Sequence, residues 1–72
     1  MKFKVYVTSA TQFDPEADEF VAIVVENMKG RKWVSNHFHR ADDCSAHENA
    51  MVTEEYLNDG GKLVRENWKE VA

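Results

Sequence analysis

Residues 20–39 read "FVAIVVENMKGRKWVSNHFH", and the fold depends on whether they form a helix or a hairpin. The helical reading has support, because Ala17, Phe20, Val21, Val24, Val25 and Met28 recur at helical spacing and Gly30 can stop a helix. The hairpin reading has more. The stretch is rich in β-branched residues, and "NMKGR" suits a type I turn closed by a glycine bulge. Placing Asn27 opposite Arg31 pairs Glu26 with Lys32, Val24 with Val34, Phe20 with Phe38 and Glu19 with His39. One register thus yields two charge-complementary and two apolar pairs, the kind that stabilise an antiparallel ladder. The hairpin is therefore the expected structure.

Working outward, "KFKVYVT" alternates with period two and reads as a half-buried strand, with Phe3, Val5 and Val7 on one face. "SATQFDPEADE" reads as a polar loop or short helical turn. A helix is expected from about Asp43 to Asn58, capped by Asp42, Asp43 or Ser45 and ended by "NDGG". Its Ala46, Ala50, Thr53 and Leu57 share one side, and the alanines permit close approach to a sheet. "KLVRENWKEV" reads as a last strand. The expected architecture is α+β, a single domain over residues 1–72, with a β-β-β-α-β order and one helix on one face of an antiparallel sheet.

A chain of 72 residues supports one thin core. Its single cysteine excludes an internal disulfide and suggests a reducing compartment. With no long apolar run, neither a secretory signal nor a membrane span is expected, and a cytoplasmic location follows as the expectation. The net charge of −4 argues against general nucleic-acid affinity. The charge is also unevenly spread. Residues 41–59 hold six acids and no lysine or arginine.

"HFHRADDCSAH" places His37, His39, Cys44 and His47 close together. Four nitrogen and sulfur donors satisfy a tetrahedral zinc in principle. The two histidines of the first pair share a strand face, however, whereas Cys44 and His47 lie off the buried side of the helix, so the pairs diverge. The preferred reading is a solvated strand end followed by a helix cap, with no metal and no cofactor. Catalysis is not expected. Asp42 and Asp43 beside Cys44 disfavour a thiolate, and the doublets Asp42-Asp43 and Glu54-Glu55 point apart. There is no phosphate-binding glycine loop.

With Phe20, Ala22, Val24, Val34 and Phe38 assigned to the helix, the opposite sheet face would hold Tyr6, Val21, Ile23, Val25, Trp33 and His37. Exposed apolar patches of that kind mark contact sites, the alternative being that residues 9–18 fold over part of the face with Phe13 as a plug. The expected function is a small non-enzymatic interaction module or inhibitor. It would assemble as a homodimer or with another protein through that face, and would offer Glu48, Glu54 and Glu55 to a basic partner. In size, acidity and strand–helix order the chain resembles small phage-encoded inhibitors of host enzymes, a resemblance of layout without a shared motif. Two alternatives remain. One is single-stranded nucleic-acid binding by the open sheet, using Lys2, Lys4, Tyr6, Trp33, His37 and Arg65. The other is a zinc-stabilised module using His37, His39, Cys44 and His47.

Overall fold

The computed structural model describes residues 2–71. Residues 20–39 form the hairpin. Strands β1 (Phe3–Ser9), β2 (Phe20–Asn27), β3 (Lys32–Ser35), β4 (His39–Arg40) and β5 (Trp68–Val71) build one antiparallel sheet, and helix α1 (Ser45–Asn58) lies between β4 and β5 in the chain. The strand order is β1-β2-β3-β5, with the two-residue β4 also pairing β2. The α+β architecture is as expected, with β4 as an additional short strand.

The β2–β3 turn closes through Asn27. Its carbonyl accepts from Gly30 N and its side chain accepts from Lys29 N and Arg31 N. Gly30 sits at φ +81°, the left-handed conformation that the glycine bulge requires. Val24↔Val34 and Glu26↔Lys32 pair as expected. Beyond Ser35 the register differs, because Phe20 pairs with Arg40 and Val21 with His39. Residues 36–38 loop out, so the pairing slips by two residues, which preserves the face of each side chain. The break leaves the Ile23 N–H without a strand partner, and the buried Ser35 Oγ accepts it at 3.1 Å.

Both faces of β2 are covered, which is why it reads as an unbroken apolar run. Ala22 and Val24 pack with Ala10, Ala17 and Val34, and with half-buried Tyr6, Phe13 and Phe38. The cover on this face is the segment after β1, which includes a 3-10 turn at Ala10–Gln12. Ala10, Ala17 and Ala22 are all small, so a bare chain segment can lie directly on the strand. The opposite face carries Ile23 and Val25, which pair with Val7 and Val5 of β1. Helix α1 packs here through Ala46, Ala50 and Leu57, all buried.

The helix therefore occupies the face opposite to the one expected, and the open apolar surface assigned to Tyr6, Val21, Ile23, Val25, Trp33 and His37 does not exist in the monomer. Ile23 is 3% exposed and Val25 fully buried. Val21 and Trp33 are half-buried on that side. Tyr6 pairs with Val24 and so belongs to the other face, where the Lys4 ammonium lies 5.6 Å from its ring centroid. His37 is exposed in the bulge, edge-on to His39. The physical reason is size. Ile23, Val25, Val5 and Val7 make the broader apolar platform, which suits a helix, whereas alanines at Ala10, Ala17 and Ala22 suit a thin strap.

Helix α1 also covers the first part of the free edge of β1. Glu54 Oε1 accepts from Val5 N at 3.0 Å. Asn58 Oδ1 accepts from Lys2 N and Phe3 N, while its Nδ2 donates to Phe3 O. Unpaired strand edges are sites of unwanted pairing, and covering them is a standard remedy. The helix begins where Asp43 Oδ1 accepts from Ser45 N at 2.9 Å. That backbone bond chiefly holds the Asp43 carboxyl below the usual carboxylate range, with His39 adding a smaller attraction. It ends in a Schellman motif: Gly61 N donates to Tyr56 O and Gly60 N to Leu57 O, with Gly60 at φ +97°.

Candidate functional site

The helix side turned away from the sheet carries the most unusual surface of the molecule. Glu48, Glu55 and Asp59 lie along one side, and the adjacent Met51 and Val52, each three or four residues from Glu48 and from Glu55, flank that row on either hand. Tyr56 sits one turn beyond Val52 on its flank. All six residues are exposed. Met51 is 66% exposed, Val52 65% and Tyr56 56%. A helix whose only task is to cover a sheet normally keeps its outer face polar. Here three large apolar side chains are interleaved with three carboxylates.

The Tyr56 ring is held in place from below. It lies directly against Gly61, and any side chain there would collide with it. The ring thus packs over the Gly61 backbone while remaining open to solvent. The electrostatics are one-sided, because no lysine or arginine lies between Ala41 and Asp59. Glu55 and Asp59 also stand at the carbonyl end of the helix, where an acid opposes the helix dipole by about 0.3–1 kcal/mol each. Their placement costs helix stability rather than supplying it.

Of the acids expected to meet a partner, Glu48 and Glu55 point to solvent. Glu54 does not. It is half-buried and committed to the β1 edge, because a helix residue next to the buried side faces the strand it flanks. The apolar members Met51, Val52 and Tyr56 were missed in the sequence, although the signal was there. They fall outside the side shared by Ala46, Ala50 and Leu57, about 100° or more around the helix from it.

No family model, curated protein or solved structure matches this chain.

The histidine–cysteine cluster is dispersed. Cys44 and His47 are exposed at the helix start, and His39 is half-buried beside Val21. Among the described residues, no three His, Cys, Asp or Glu side chains are grouped to hold a metal ion. The residues expected for nucleic-acid binding are likewise divided. Lys4 and Tyr6 share one sheet face, Trp33 and Arg65 line a groove on the other side, and His37 sits in the bulge. No helix among the described residues is long and apolar enough to cross a membrane.

Proposed function

We propose that the protein is a small non-enzymatic interaction module of inhibitor type, which docks the outer face of α1 onto a basic surface of a partner protein. The observation that carries this reading is the stripe of exposed Met51, Val52 and Tyr56 set among Glu48, Glu55 and Asp59. Apolar residues supply desolvation at the centre of a contact, and tyrosine is among the residues most often found as an anchor. The carboxylates select the partner by charge. A surface rich in lysine and arginine is attracted, and an acidic one is rejected. Acids at the carbonyl end of the helix fit this reading, since they are unfavourable for the isolated fold.

The test is capture of partners on immobilised wild-type protein and on the double variant Glu48→Lys/Glu55→Lys, followed by binding kinetics with the purified partner. The double variant should fold normally, because exposed substitutions cost under about 0.5 kcal/mol. Its association rate at low salt should fall about tenfold or more, and the difference should shrink at high salt as charge is screened. Tyr56→Ala should act mainly on dissociation. Equal association rates for wild type and double variant at low salt would reduce the acidic helix to a solvated face and overturn the proposal.

A further inference from the structure

A second surface, distinct from the helix stripe, has the opposite charge. Between the end of α1, the 61–67 segment and strands β3 and β5 runs a groove of about 510 Å³, whose lining includes Trp33, Trp68, Arg31, Lys62, Arg65 and Glu70. These are the only two tryptophans of the chain. Three cations face one carboxylate, on a protein whose net charge is −4. That single carboxylate is already used. Glu70 takes both Arg31 Nε, at 2.9 Å, and Arg31 Nη2, at 3.1 Å. The fork pins the guanidinium 4.9 Å from the Trp33 ring centroid. Lys62 and Arg65 form no ion pair among the described residues. The carbonyl end of α1 abuts the groove, but its Tyr56 and Leu57 carbonyls are occupied by the Schellman bonds.

From this arrangement we infer that the groove binds a nucleoside phosphate. The flat surfaces are the Trp68 indole and the pinned Arg31 guanidinium, which itself lies over the Trp33 ring, and an aromatic base can stack on them. The two unpaired cations, Lys62 and Arg65, meet the phosphate. An inorganic anion would use only the cations, and a neutral aromatic only the flat surfaces. A nucleotide uses both. The same chemistry is offered by a free nucleotide and by a nucleotide within a single strand.

Tryptophan fluorescence reports directly on this groove, since both indoles line it. The titrants are adenosine 5′-monophosphate, adenosine, inorganic phosphate and a short oligothymidylate, each at low and high salt. The nucleotide should quench fluorescence saturably, and adenosine and phosphate should each bind at least about tenfold more weakly, since each lacks one half of the contact. The Lys62→Glu/Arg65→Glu variant, checked for an unchanged thermal melt, should lose about tenfold or more in affinity together with the salt dependence. Oligothymidylate binding at least about tenfold tighter than the mononucleotide assigns the site to single strands, and equal affinity assigns it to free nucleotides. Phosphate binding as tightly as the nucleotide, or quenching unaltered by the charge reversal, would overturn the inference. So would the absence of quenching at millimolar nucleotide. Glu48→Lys/Glu55→Lys should leave the titrations at high salt unchanged, where long-range charge is screened, which separates this site from the helix stripe.

Discussion

Replacing Glu54 by alanine removes the acceptor of the Val5 N–H, 3.0 Å away at the edge of β1. A hydrogen bond to a charged group contributes about 1.5–3 kcal/mol. Two terms offset part of that loss. Alanine is the better helix former by up to about 0.4 kcal/mol, and removing an acid near the carbonyl end relieves about 0.3 kcal/mol or more. The net destabilisation should be about 1–2 kcal/mol. For a domain of this length each kcal/mol lowers Tm by about 4–8 °C, so the variant should melt roughly 4–16 °C earlier. Glu48→Ala and Glu55→Ala, whose side chains reach only solvent, should stay within about 0.5 kcal/mol of wild type. Glu54→Gln retains an acceptor oxygen and should fall between. Urea unfolding followed by tryptophan fluorescence and far-ultraviolet circular dichroism measures all four. If Glu54→Ala and Glu48→Ala differ by less than about 0.5 kcal/mol, the division of this acidic helix into one structural and two outward carboxylates is wrong.

Ser35→Ala deprives the buried Ile23 N–H of its acceptor and should cost about 1–3 kcal/mol; amide exchange at Ile23 should accelerate, and unchanged exchange would mean that the serine does not bridge the register break. Stability should also decline in acid. Asp43 and Glu70 are held below the usual carboxylate range, Asp43 by the Ser45 backbone N–H and Glu70 by Arg31. A depressed native pKa means that the unfolded chain binds more protons, so this contribution is present above the usual carboxylate range, about pH 4, and is lost as pH falls through the lowered native values. Asp43→Asn should flatten that part of the acid slope, and an identical slope in the variant would refute the assignment.

The hairpin was legible because its signals are local. Asn27, Gly30 and the Glu26–Lys32 and Val24–Val34 pairs all agree on one register. The slip after Ser35 was not legible, because nothing local in Asn36, His37 and Phe38 distinguishes a bulge from continued pairing. The side taken by the helix was misjudged for a different reason. Alternation divides Val21–Val25 into two apolar faces, and both demand a cover. Deciding which cover goes where takes volumes, and the informative residues were Ala10, Ala17 and Ala22, too small to meet a helix yet suited to a strap. At the outward helix, Glu48 and Glu55 could be read from periodicity alone. Glu54 could not, since its role depends on the free N–H groups of a strand some fifty residues earlier in the chain.

The cover that Glu54 and Asn58 place along the first part of β1 gives the sheet two unlike margins. The β1 margin has its N–H groups at Lys2, Phe3 and Val5 occupied, whereas β5 ends the strand order on the other side. The cover stops at Val5, so Val7 and Ser9, which follow in the same alternation, lie beyond it. The helix thus blunts one half of one margin, and a partner strand that seeks this sheet meets a barrier along Phe3–Val5 and none along β5.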